Sequence, residues 1–137
     1  VFPQDQSKYF DFTSFTENIV GESIESGKGW FKVTKDFSLS SAIVGTPILY
    51  NLIPSGAYIT SIKAIGNISG ISPSAVLTIG VNVDDASLIT DVVGNYLNGK
   101  TFSAMSSEAT ANRSLQLVAS VDDINAGILT VLVEFVI

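Results

Sequence analysis

Residues 75–83, Ala75-Val76-Leu77-Thr78-Ile79-Gly80-Val81-Asn82-Val83, alternate without a break in phase. Ala75, Leu77, Ile79, Val81 and Val83 fall on one face; Val76, Thr78, Gly80 and Asn82 fall on the other. A period of two belongs to a strand with one face on a core. Upstream, Ile48-Leu49-Tyr50-Asn51-Leu52 reads as a strand and Ile53-Pro54-Ser55-Gly56 as a turn, with Pro second and Gly fourth. Tyr58 to Gly66 resumes as a strand. Ile59 and Ile62 are out of phase within it, which predicts a bulge near Thr60-Ser61. Asn67 to Pro73 reads as a polar loop.

The same pattern recurs along the chain. Trp30 to Phe37 is a strand with mixed faces, as on an outer strand, where Lys32 and Lys35 guard against edge pairing. Ser38 to Pro47 is a loop or brief strand. Asp84-Asp85-Ala86-Ser87 turns the chain into a strand over Leu88 to Val93. Gly94 to Ser107 is irregular, with Tyr96, Leu97 and Phe102 as packing points. Arg113 to Val121 is a strand with Leu115, Leu117, Ala119 and Val121 inward, and Asp122 to Gly127 is a turn. Ile128 to Ile137 closes the chain. Leu129, Val131, Val133, Phe135 and Ile137 point one way; the other face carries Ile128, Thr130, Leu132, Glu134 and Val136 and is also largely apolar. A strand apolar on both faces is central in a sandwich or half-buried in a subunit contact. No stretch holds a helical stripe over three turns. About seven or eight short strands between Gly, Pro, Asn and Asp turns predict an all-β, antiparallel β-sandwich or jelly roll over residues 30–137.

Residues 1–29 read as an extended N-terminal arm. Phe2, Tyr9, Phe10, Phe12 and Phe15 follow neither period, so they read as anchors set into pockets. Exposed aromatics need a covering surface, which is this domain's own or a neighbouring subunit's. The opening Val1-Phe2-Pro3 has neither the basic leader nor the apolar segment of a secretory signal, so none is expected there.

With 137 residues, one domain with a real core is expected. The net charge of -6, with no basic cluster, disfavours nucleic-acid binding. No apolar run reaches the length of a membrane-spanning helix. The chain has no Cys and no His. Disulfides, thiol nucleophiles, zinc–thiolate sites and every Ser–His or Cys–His dyad are therefore excluded. The chain reads as non-enzymatic, with no catalytic, cofactor-binding or metal-ligating residue assigned.

The clustered carboxylates are Asp84-Asp85, Asp122-Asp123 and Asp91. Neighbouring turn residues point apart and lack calcium-loop spacing, so they read as turn-capping groups rather than a calcium site or a glycosidase pair. Trp30, Tyr50, Tyr58 and Tyr96 are the aromatics that could stack on sugars; core packing is the competing account. Lys63, a lone cation in an apolar strand, is expected to point outward. Asn67-Ile68-Ser69 and Asn112-Arg113-Ser114 match the glycosylation triplet, a weak signal.

The run Leu52-Ile53-Pro54-Ser55-Gly56-Ala57-Tyr58-Ile59-Thr60-Ser61-Ile62, the strand Ala75 to Val81 with Asp84-Asp85 behind it, and Ala126-Gly127-Ile128-Leu129-Thr130-Val131 resemble small β-sandwich virion proteins of tailed bacteriophages. The resemblance covers residues 45–137. It implies a virion structural protein: a head decoration protein, head fibre or tail component. Such proteins are commonly trimeric and dock on other virion proteins such as the major capsid protein. Partner contacts are expected at Phe2, Tyr9, Phe10, Phe12 and Phe15 of the arm and at Ile128, Leu132 and Val136 of the last strand. The alternative is a glycan- or receptor-binding sandwich using the loops 66–73 and 94–112.

Overall fold

The structure, a computed structural model, describes residues 17–25, 28–54, 56–81, 85–103 and 113–137. Within them the period-two segments become strands: β1 (Glu17–Glu25), β2 (Lys28–Asp36), β3 (Ile48–Ile53), β4 (Tyr58–Gly70), β5 (Val76–Val81), β6 (Asp85–Val92), β7 (Lys100–Ser103), β8 (Arg113–Ser120) and β9 (Ile124–Val136). A 3-10 helix (Val93–Asn98) links β6 to β7. The strands form an all-β antiparallel sandwich. One sheet has five strands in the order β1-β2-β9-β4-β7; the other has four in the order β3-β8-β5-β6. Among the described residues no helix is long and apolar enough to cross a membrane.

The core lies between the sheets, where alternate side chains from each strand meet. Phe31 and Val33 of β2, Ile59, Ile62 and Ala64 of β4, and Leu129, Val131, Val133 and Phe135 of β9 face inward from the five-stranded sheet. Leu77, Ile79 and Val81 of β5 with Leu115, Leu117 and Ala119 of β8 oppose them. The Phe31 and Phe135 rings pack at 6.4 Å between centroids, tilted by 46°. Tyr96, on the 3-10 helix, is fully buried, and its hydroxyl donates to the Leu77 carbonyl at 2.7 Å. A buried phenol needs that acceptor, and burial is the first cause pushing its pKa up, with the Asp91 charge adding to it.

The structure departs from the sequence expectations at several points. Residues 17–25, counted there in the arm, form β1 and pair with β2 from Glu17↔Lys35 to Glu25↔Lys28. β2 is therefore not an outer strand: it lies between β1 and β9. Lys35 is not an edge guard either. It is 1% exposed, with Nζ 5.7 Å from the Phe37 ring centroid, within cation–π range. Residues 67–70, read as loop, and 124–127, read as turn, extend β4 and β9 to 13 residues each.

Glycine explains that extension. Gly127 has φ +94, and a Cβ there would run into the Asn67 carbonyl and Ile68 backbone; one on Gly66 would run into Ile128 and Leu129. The two strands approach too closely for side chains at these points, so the glycines mark contact rather than a break. The bulge predicted at Thr60-Ser61 is present, as a register shift between Ile59 and Ser61. Val121, expected inward, is instead 65% exposed with φ 72, and it turns the chain out of β8.

Candidate interaction surfaces

The register of β2, β9 and β4 sets the outer face of the five-stranded sheet in rows. These run Lys28–Val136–Tyr58, Trp30–Glu134 with Thr60-Ser61 beyond, Lys32–Leu132–Lys63, Thr34–Thr130–Ile65 and Asp36–Ile128–Asn67. Ile128, Leu132 and Val136 therefore do share a face, on a strand that is central in its sheet. They do not form a continuous apolar strip. Lys32 and Lys63 bracket Leu132, while Val136 lies among Lys28, Tyr58 and the Trp30 row. Lys63 is exposed, as expected. Phe2, Tyr9, Phe10, Phe12 and Phe15 lie outside the described residues.

At the Val136 end of this face is a shallow depression of about 590 Å³, lined by Lys28, Gly29, Trp30, Thr60, Glu134, Phe135 and Val136. Trp30 is 37% exposed and Tyr58, beside Val136, is 43% exposed. Tyr50 and Tyr96 are buried and belong to the core. Sequence reasoning grouped all four aromatics; only the pairing register separates the two outward ones.

At the opposite end of the sandwich the chain builds an aliphatic tip around residues 119–128. Ala42 bridges Ile124, Val44 bridges Ala119, and the Ile71 N–H donates to the Asp123 carbonyl at 2.9 Å. The Phe37 N–H donates to the Gly127 carbonyl at 2.9 Å, holding the 37–45 segment against the start of β9. Leu39, Ile43, Val44, Ile71, Val121 and Ile128 are all exposed here. Glu17, the first described residue, is paired with Lys35 at this same end. Residue spacing did not reveal this tip, because its members come from four separated segments.

Two of the clustered carboxylates, Asp123 and Asp91, serve the fold. Asp123 accepts the Val44 N–H at 2.9 Å and so pins the tip loop. Asp91 forms an ion pair with Lys100 at 2.7 Å and accepts from Asn95 and from the Val92 N–H. These partners, Lys100 first, hold its pKa down at about 2. Among the described residues no three His, Cys, Asp or Glu side chains converge as metal ligands would. Of the loops read as glycan-binding, residues 66–70 are strand, and 93–98 are a 3-10 helix carrying the buried Tyr96. Asn67 is exposed on β4; Asn112 lies outside the described residues.

No protein-family model matches the chain, and no curated protein matches it. Among solved structures, it is similar to a chain from the acid-stable capsid of the Helicobacter pylori bacteriophage KHP30. The TM-score is 0.57 at 14% identity, with 85% of this chain and 94% of that chain covered. A xylan-binding module, CBM86 from Roseburia intestinalis, aligns with TM-score 0.32 at 11% identity, covering 88% of each chain. A CBM4 structure aligns with TM-score 0.26 at 15% identity, covering 88% of this chain and 77% of that one. The capsid match is a likeness of fold.

Proposed function

We propose that this chain is a structural, non-enzymatic component of a bacteriophage particle. Its aliphatic tip docks on further copies of itself and on other virion proteins, such as the major capsid protein. The observation that carries this reading is Val121. A β-branched residue at φ 72 is a backbone outlier, and glycine or asparagine would hold that turn at lower cost. The fold gains almost nothing from its side chain, which is 65% exposed. An apolar side chain held outward at a cost in strain, among five other exposed aliphatics, is suited to burial against a partner.

The fold likeness to a phage capsid chain supports the particle assignment, because each chain is covered almost whole. A partner-covered role for Phe2, Tyr9, Phe10, Phe12 and Phe15 belongs to the same proposal on the sequence argument alone, that aromatics keeping neither strand nor helix period need a covering surface. Ile128 lies at this tip, and Leu132 and Val136 lie further along the same face of the sheet. A trimer, with copies meeting tip to tip, is the assembly this reading favours. Light scattering on the purified chain tests it: a discrete assembly near three times 14.5 kDa is expected. A strict monomer across the accessible concentration range contradicts it.

A further inference from the structure

We propose that the Trp30–Tyr58 end of the five-stranded sheet binds an extended, neutral oligosaccharide. Trp30 and Tyr58 stand on β2 and β4 with β9 between them, and their register partners, Glu134 and Val136, are two residues apart. Strand spacing and rise place the two Cα atoms about 12 Å apart on one face. A single sugar does not span that distance; a short chain of pyranoses does. The C–H face of a pyranose is apolar and stacks on an aromatic ring, as other apolar groups do.

The ground beside the rings is mixed, with Val136 between Tyr58 and Lys28 and polar side chains around Trp30. Lys28, Thr60 and Glu134 line the depression beside Trp30. Lys28 is exposed and Glu134 half-buried, and among the described residues the two form no ion pair. One cation and one anion in the same hollow favour a ligand that both donates and accepts, as hydroxyl groups do. An anionic ligand would meet Glu134 and a cationic one Lys28. The bulge at Thr60 turns β4 at the rim of the hollow, the kind of irregularity that re-aims side chains next to sites. This site lies at the far end of the sandwich from the tip, beyond the Lys32–Leu132–Lys63 row, and does not rest on the particle assignment.

Trp30 is the sole tryptophan, so its emission reports this site directly. The full chain is titrated with hexasaccharides of β-1,4-linked glucose, β-1,4-linked xylose, β-1,4-linked N-acetylglucosamine and α-1,4-linked glucose, with free glucose as comparison. A saturable emission change is expected for at least one hexasaccharide and not for glucose. Tyr58→Ala keeps the reporter and is expected to weaken that binding about tenfold. Glu134→Ala weakens it as well, and Leu39→Ala at the tip leaves it unchanged. Thermal melts confirm that each variant is folded. No saturable change with any hexasaccharide up to about 10 mM overturns the proposal, that being weaker than the millimolar range of the feeblest specific binding. A change that glucose reproduces, or that Tyr58→Ala and Glu134→Ala both leave intact, also overturns it. The assembly mass is a separate readout, so failure here leaves the tip reading standing.

Discussion

Replacing Gly127 by alanine attacks the seam between β4 and β9, which carries both proposed surfaces. Two costs combine at this position. At φ +94 an L-residue is strained by about 1–2 kcal/mol. The added Cβ also meets backbone atoms of Asn67 and Ile68 across the seam, where no flexible side chain can give way. Forcing extra volume into such a contact costs roughly 1–3 kcal/mol. The total, about 2–5 kcal/mol, is a large part of the roughly 5–15 kcal/mol that holds a domain together. For a domain of this size it lowers Tm by about 8–20 °C.

Gly45 separates the two costs. Its φ is +78, but a Cβ there meets nothing within 4 Å. Gly45→Ala should show the backbone strain alone, a loss of about 1–2 kcal/mol. Gly94→Ala, with open space and no positive φ, should be nearly silent. Thermal and urea melts followed by circular dichroism measure all three. If Gly127→Ala costs no more than Gly45→Ala, the strands do not approach as described, and the argument from close contact fails.

Three further outcomes follow from the same structure. Val121→Asn should stabilise the fold by about 1 kcal/mol, seen as a Tm rise of a few degrees, because asparagine tolerates positive φ; a loss of stability would show that the Val121 side chain serves the core. Asp91 has a folded pKa of about 2, below its ordinary 3.8, so its contribution is present above pH 4 and lost as pH falls toward 2. In acid melts, Asp91→Asn should flatten the pH dependence of Tm in that window, and an unchanged profile would remove the Lys100 pair from the account. Tyr96→Phe leaves the buried Leu77 carbonyl without its donor and should cost about 1–3 kcal/mol. Because burial raises the Tyr96 pKa, wild-type stability should also fall as pH rises above 10, and that alkaline loss should shrink in the variant.

Where one side chain period answered to one core face, the chain could be read directly. The alternation at Leu77, Ile79 and Val81 and at Leu115, Leu117 and Ala119 matches the buried faces of β5 and β8, and the phase slip between Ile59 and Ile62 located a real bulge. Features set by a partner strand were not legible. β1 carries Gly21, its apolar Ile19, Val20 and Ile24 keep no period of two, and it is a strand through its ladder with β2. Gly66 and Gly127 looked like loop residues because a sequence does not show what approaches a glycine. Lys35 looked solvated because charge argues for exposure, yet its alkyl stem continues the inward face of Phe31, Val33 and Phe37. Both surfaces are products of register and turns. Trp30 and Tyr58 are 28 residues apart in the chain and share one end of a sheet face only because β9 pairs with both of their strands.

Sedimentation velocity on the wild-type chain beside the double variant Ile43→Asp, Val121→Asn tests the docking role of the tip most directly. Both side chains are exposed, so the variant keeps its fold, which its melting curve verifies. A discrete oligomer for the wild type and a monomer for the variant is the predicted result, with Trp30→Ala sedimenting as wild type does. An oligomer that the double variant leaves intact, or a wild-type chain that never associates, contradicts the reading of the tip.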